Sequence, residues 1–301
     1  MTTFTLFAET ALLPDGWANG VRVTVEQGRI KTVSRGAIQS GDQRVGCLLP
    51  APVNLHSHAF QRAMAGMTER RGGNGQDSFW TWRSLMYQFL NHLTPDDVQA
   101  IAAFVQMEML EAGYCGVAEF HYLHHQTDGV PYDDLSELSQ RIAAAAASTG
   151  IGLTLLPVAY ERGGCDGRPL TAGQLRFGND FGRFVRLWEG AAKATALVSP
   201  DAVCGLAPHS LRAVSPGTLE SLSALAPDAP IHIHLAEQVA EVVEVQAAYG
   251  ARPVEWLLEH AAVNARWCLV HATQMLAHET ERLAGTGAVA GLCPITESTL
   301  G

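Results

Sequence analysis

The feature that most constrains this chain is a rhythm. Short apolar runs at Leu48–Leu55, Gly116–Tyr122, Gly152–Tyr160, Val203–Pro208, Ile231–Ala236, Cys268–His271 and Ala288–Cys293 alternate with longer helix-like stretches. Those stretches include Pro95–Ala112, Leu135–Ser148, Phe181–Leu197, Pro216–Leu225, Val239–Tyr249 and Met275–Ala284. Apolar strands buried on both faces and joined by helices imply a parallel sheet. Seven such units in series predict an α/β fold of the TIM-like (β/α)8 type over an open doubly wound sheet. Thr94 before Pro95 and Ser215 before Pro216 read as N-caps followed by proline at the first helical position, and Gly150 as a helix end. Residues 1–48 differ in style. There, Phe4–Phe7, Val21–Glu26 and Ile30–Ser34 read as strands, with Gly28 in a turn, predicting a small β unit (an incomplete sandwich) ahead of a barrel over 49–301. Gly72–Gly75 and Gly163–Gly167 read as mobile loops from their glycine content.

In such barrels chemistry collects at the C-terminal ends of the strands. The predicted ends carry, in order, His56-Ser57-His58, Glu119-Phe120-His121-Tyr122, Pro208-His209-Ser210, His232-Ile233-His234 with Glu237, and His271. Alternate strand residues share a side, so His56 and His58 can both face the barrel mouth. With His234 from a distant strand they make a three-imidazole set that leaves a position open for water, as catalytic zinc requires. Glu237, three residues beyond His234, can carry a proton from water to a leaving amine. His271 can hydrogen-bond the attacking water or a developing oxyanion. An isolated HxH is more often structural, and His232 is read that way, as packing deeper in the barrel. His92, His124, His125, His260 and His278 fall in helices or loops and receive no role. The signal is the ordered conjunction of HxH on the first strand, HxxE on the fifth and His on the sixth.

Composition removes other classes. The net charge is −10, with no basic stripe to track phosphates, which argues against nucleic acid. The N-terminus lacks a basic start and carries Glu9 where a signal peptide would be apolar. The Ile142–Ala147 run is too short to span a bilayer. Six scattered cysteines without a CxxC pair read as free thiols in a reducing cytoplasm. The glycines of Gly285-Thr286-Gly287-Ala288-Val289-Ala290-Gly291 miss the dinucleotide spacing by one residue and precede a strand, and there is no P-loop or HExxH.

Three segments, Pro52-Val53-Asn54-Leu55-His56-Ser57-His58, Ile231-His232-Ile233-His234-Leu235-Ala236-Glu237 and Leu269-Val270-His271-Ala272, resemble the amidohydrolase superfamily in its aminohydrolase branch. Within it the chain resembles the formimidoylglutamate deiminases of histidine breakdown. That finer likeness is carried by Phe60-Gln61-Arg62-Ala63, Ser78-Phe79-Trp80-Thr81-Trp82-Arg83, Glu119 through His125, Ala207-Pro208-His209-Ser210-Leu211-Arg212 and Cys293-Pro294-Ile295-Thr296-Glu297. The resemblance implies one divalent metal, zinc, held by His56, His58 and His234, with Glu237 and His271 catalytic. It implies a substrate pocket lined by Gln61, Arg83, Tyr122, His209 and Arg212, and a homodimer. N-formimidoyl-L-glutamate carries two carboxylates, and arginine forks suit carboxylates. Water activated by the metal would attack the formimidoyl carbon, ammonia would leave with a proton passed through Glu237, and N-formyl-L-glutamate would remain.

The sequence departs from the family in one respect. Members carry an aspartate after an eighth strand that touches the metal, and a later segment that completes the small β unit. Neither is present here, and Glu297 lies too early, in the loop after the seventh strand. The expectation is a C-terminally truncated barrel with an apolar gap and weak or absent catalysis. Two rivals remain: an aminohydrolase acting on a heterocycle such as guanine or cytosine, and a non-catalytic metal-binding fragment.

Overall fold

The computed structural model describes residues 3–68 and 79–300. The predicted Gly72–Gly75 loop lies outside them. The chain divides into two compact units, Met1–Pro52 and Val53–Gly301. The first is a four-stranded sheet of β1 (Thr3–Leu13), β2 (Gly16–Glu26), β3 (Arg29–Arg35) and β4 (Gln43–Leu48), in the order β3-β2-β1-β4. One face buries Ala8, Ala11, Ala18, Val21 and Val23. Val21 and Val23 keep the two-residue spacing of a half-buried sheet, whereas Ala8 and Ala11, like Ala18 and Val21, stand three apart, where the β1–β2 register skips Glu9 and Gly20. The sequence runs understated β1 and β2, which each extend over eleven residues.

The second unit contains, in chain order, β5 (Val53–Ser57), α1 (Phe79–Leu90), α2 (Pro95–Glu111), β6 (Gly116–His121), α3 (Glu137–Thr149) and β7 (Gly152–Ala159). There follow α4 (Phe181–Ala196), β8 (Val203–Cys204), β9 (Ala207–Pro208), α5 (Pro216–Leu225), β10 (Ile231–Leu235) and α6 (Val239–Tyr249). The last elements are α7 (Pro253–His260), β11 (Trp267–His271), α8 (Ala277–Ala284), β12 (Val289–Gly291) and α9 (Pro294–Leu300). All strand pairs in this unit are parallel, in sequence order: β5-β6-β7-β8, with β9 also on β7, then β10-β11-β12. A bridge from Leu206 to Ile231 joins the two ladders. This is a parallel strand core of the (β/α)8-barrel type, with an N-terminal β unit.

Most predicted helices form within two residues of their predicted bounds because their caps are encoded. Thr94 and Asp97 close a reciprocal capping box ahead of α2, and Ser215 accepts the Thr218 amide ahead of α5. Two strand predictions need correction. The run Leu48–Leu55 is not one strand: Pro50 and Pro52 supply no amide donor, so β4 stops at Leu48 and β5 begins at Val53. The run Val203–Pro208 is split into β8 and β9 at Gly205 and Leu206. At Gly205 an added Cβ would sit 2.6 Å from Leu156 Cδ2 and 2.7 Å from the Pro230 carbonyl oxygen. The helices α1 and α7 were not anticipated. On β5 and β12, Val53, Leu55 and Val289 are exposed apolar side chains.

Several titratable groups are buried in this core. His121 ends β6 and His232 lies within β10, both nearly closed to solvent. Burial lowers His121 to about 3 and His232 to about 4. Glu119, on β6, is pushed up to about 7 by burial. The unfolded histidines accept protons near 6.5, whereas the folded ones resist until pH 4 or below, so each withdraws stability as pH falls. Glu119 works in the opposite sense between its ordinary 4.5 and about 7, but it is one group against two. The urea midpoint should therefore fall as pH drops from 6.5 towards 4; a flat or rising midpoint would contradict the buried neutral imidazoles. Gly205→Ala should cost about 1–3 kcal/mol by overpacking, read from the same titration at pH 7.5.

Candidate metal centre and adjoining cavity

Along β5 the side chains alternate. Val53 and Leu55 face out, while Asn54, His56 and, just past the strand, His58 share the other side. His56 Nε2 lies 3.0 Å from His58 Nε2 and 3.1 Å from His234 Nε2. Two of the three outer nitrogens are committed elsewhere, while His56 Nδ1 is buried without a hydrogen-bond partner. His58 Nδ1 donates to the Phe120 carbonyl at 2.9 Å, and His234 Nδ1 donates to the His209 carbonyl at 3.1 Å. A carbonyl only accepts, so both rings carry their proton on Nδ1 and turn a lone pair inward from Nε2. His56 has one proton to share and faces two lone pairs. Burial also holds all three rings below the ordinary histidine range, His58 down to about 4, so they are neutral donors. Ligands around a tetrahedral zinc stand about 3.3 Å apart, given bonds of about 2.0–2.1 Å. The donor set, its tautomers and its spacing fit a divalent cation. His271 also enters the cluster: ligand atoms of His56, His234 and His271 all lie within 4.8 Å of one another.

The supporting groups come from neighbouring turns. The Glu119 carboxylate accepts the Ala59 amide at 2.7 Å and so ties down the turn that follows His58. Glu241, in the first turn of α6 and 1% exposed, accepts the amides of Ala236 at 3.2 Å and Glu237 at 3.0 Å. Ala236 has φ +52°, and His271 and Ala272 have φ +71° and +51°. Left-handed non-glycine residues carry strain, and here they cap the ends of β10 and β11, beside the imidazoles. Glu237 Oε1 lies 3.7 Å from His271 Nε2. The sequence reading gave no part to Glu241 or Glu119, although Glu241 is a carboxylate at the N-terminal turn directly after a strand-end motif.

His209 leads away from this cluster. Its ring lies 4.9 Å from His234, 5.9 Å from Tyr122 and 4.6 Å from Tyr160. Arg83 and Arg212 both depress its basicity further, after burial. The two arginines line one cavity of about 320 Å³ with Tyr87, Tyr160, Gln174, Ser210 and the ion-paired Arg168 and Glu244. Arg83 Nε donates to Tyr87 Oη at 2.5 Å, and Gln174 Nε2 donates to Tyr160 Oη at 2.8 Å. Arg212 Nε is buried without a hydrogen-bond partner. Gln61 and Tyr122 meet at 3.0 Å, with Tyr122 buried against Phe60 and Phe177. They stand beside His58, whose ring is 4.9 Å from Tyr122, and do not line the arginine cavity. Tyr87, Tyr160 and Gln174 were missed, since nothing local distinguishes them. His124 and His125, given no role, are buried and bonded through Nε2 to the carbonyls of Val158 and Gly178.

Among the described residues no helix is long and apolar enough to cross a membrane, and none of the six cysteines forms a disulfide. Residues 47–301 match the amidohydrolase family, and residues 3–46 match the N-terminal domain of formimidoylglutamate deiminase HutF. The chain is 49% identical to a formimidoylglutamate deiminase of Pseudomonas aeruginosa over 98% of its own length, and it spans 65% of that enzyme. It superposes on the crystal structure of an amidohydrolase from Brucella melitensis with a TM-score of 0.94 at 52% identity, covering 98% of this chain and 66% of that one. A 5-methylthioadenosine/S-adenosylhomocysteine deaminase of Nitratidesulfovibrio vulgaris is 26% identical over 90% of this chain and 55% of its own. With three convergent imidazoles at strand ends and a family match across the whole barrel unit, this chain belongs to the amidohydrolase family.

Proposed function

We propose that the chain carries the catalytic site of a formimidoylglutamate deiminase, which hydrolyses N-formimidoyl-L-glutamate to N-formyl-L-glutamate and ammonia. The observation that carries this reading is the pairing of Arg83 and Arg212 in one cavity, whose wall residue Tyr160 packs on His209, itself packed on His234 of the imidazole cluster. A dicarboxylate with a reactive amidine at its far end needs that layout: cations for the acid end, a metal for the other. Guanidinium forks bind carboxylates in two-point fashion, and the unpartnered Arg212 Nε is buried and available for one. A heterocycle would ask instead for stacking faces and amide edges. The identity to the Pseudomonas deiminase supports the same substrate.

His56, His58 and His234 are the residues placed to hold the metal, zinc by its preference for imidazole and a four-coordinate geometry. When bound, such a cation makes water nucleophilic at neutral pH and polarises the substrate nitrogen. Glu237 takes the proton released as the water oxygen bonds to the formimidoyl carbon. It returns that proton to the imino nitrogen, then carries the proton of the newly formed hydroxyl to the same nitrogen as the carbon–oxygen double bond forms and the carbon–nitrogen bond breaks, releasing ammonia. His271, in reach of Glu237, hydrogen-bonds the incoming oxygen. Glu241 keeps the Glu237 backbone in register by holding its amide. Gln61 and Tyr122, beside His58, close the site on the amidine side.

Ammonia release from N-formimidoyl-L-glutamate, with zinc supplied, tests the assignment. Glu237→Gln should lower turnover by about 10²–10⁴-fold while zinc content stays at one equivalent. Arg212→Met should raise KM by about ten- to hundredfold, the loss of one charged hydrogen-bonding partner. Unchanged KM in that variant, with ammonia released from a heterocyclic amine, would move the assignment to the heterocycle deaminases.

A further inference from the structure

The side of His271 away from Glu237 meets a second set of donors. His271 Nδ1 is buried, has no hydrogen-bond partner, and lies 3.4 Å from Glu297 Oε1. Ligand atoms of His271, Cys293 and Glu297 all fall within 4.8 Å of one another. We propose that His271, Cys293 and Glu297 form a second zinc site, distinct from the site of His56, His58 and His234, whose occupancy shuts off the first.

Three observations converge on it. The 3.4 Å separation is too poorly aligned to make a hydrogen bond, yet it matches the spacing of about 3.3 Å between nitrogen and oxygen ligands of a tetrahedral zinc. Thiolate, imidazole and carboxylate are the three side-chain donors zinc accepts. The arrangement is also held in place before any ion arrives. Cys293 and Glu297 lie four residues apart where the chain passes from β12 into α9, and the Cys293 amide donates to Glu297 Oε1 at 2.7 Å. The plainer account is that Glu297 caps α9 and Cys293 packs. It explains that amide bond but leaves a nine-tenths buried imidazole nitrogen aimed at a carboxylate it does not bond.

The consequence for the first site follows from the imidazole itself. A cation on Nδ1 forces the His271 proton onto Nε2, towards Glu237, and ties the ring to β12. A ring so held can no longer accept a hydrogen bond at Nε2 or shift with the reacting water. The binding claim is independent of the deiminase reading; only the effect on turnover rests on it.

Titration of metal-free protein with Co²⁺ reports the two sites separately, because only the second has a sulfur ligand. Two equivalents should bind, one of them with a thiolate-to-cobalt charge-transfer band in the near ultraviolet. Cys293→Ser should lose that band and one equivalent, Glu297→Gln should weaken both, and His56→Ala should lose the other equivalent but keep the band. A single equivalent without the band, or a band that survives Cys293→Ser, overturns the proposal. Excess zinc should suppress ammonia release in the parent and not in Cys293→Ser. Absence of ammonia release at every zinc level would count against the deiminase reading alone, since the cobalt band reads the second site without turnover.

Discussion

Imidazole nitrogens that turn lone pairs towards one another repel, and the arrangement of β5, β6 and β10 makes this unavoidable here. Two backbone carbonyls, of Phe120 and His209, each take the Nδ1 proton of a histidine and thereby choose the tautomer. His56 stands between the two rings so fixed and can donate to only one. Protonating the cluster would relieve the repulsion in water, but burial disfavours the charge. A cation among the three rings removes the conflict at once. Much of the surrounding structure can be understood as what is needed to hold that unfavourable cluster in place.

The holding is done mainly by buried carboxylates that accept backbone amides. Glu119 grips the turn after His58, and Glu241 grips the two amides that follow β10. Both are buried, and burial raises both, so each remains inside only because backbone donors reward it. Glu241 also offsets the strain of Ala236, whose left-handed backbone sends the chain back towards the mouth. The turn therefore places Glu237 beside His271 rather than letting β10 run straight into α6. The adjoining cavity differs in character: three arginines line it, Arg83, Arg168 and Arg212, and Arg168 is paired with Glu244.

The sequence made the strand-end histidines legible because two simple periods govern them. Residues two apart on a strand share a face, so His56 and His58 had to converge, and the register of parallel strands brings His234 to the same level. Helix limits were readable wherever the cap was chemical, as at Thr94 and Ser215. Legibility ended where a role depends on a partner distant in sequence. Tyr160 matters because Gln174 and His209 reach it, and neither contact leaves a local mark. Glu297 could be seen to follow a seventh strand, but its approach to His271 depends on the pairing of β11 with β12. The first barrel strand was misplaced for a local reason that apolarity concealed: two prolines sit inside a hydrophobic run.

The three clustered imidazoles also have a mechanical meaning. His56 and His58 belong to the ladder that starts at β5, whereas His234 belongs to the ladder of β10, β11 and β12. Among the described residues, the backbones of these ladders meet at the Leu206–Ile231 bridge and where the His234 amide donates to the His209 carbonyl at 3.0 Å. An ion held by all three histidines adds a further link, from the opposite end of the first ladder. It ties β5 to β10 across nearly 180 residues of sequence, His56 to His234 being 178 apart. Unfolding must release the ion, so its binding free energy adds to the stability of the fold in proportion to ln(1 + [metal]/Kd). Removing such an ion would restore the repulsion among the three rings and withdraw the link it makes between the two ladders, so local opening should become easier around the imidazole cluster.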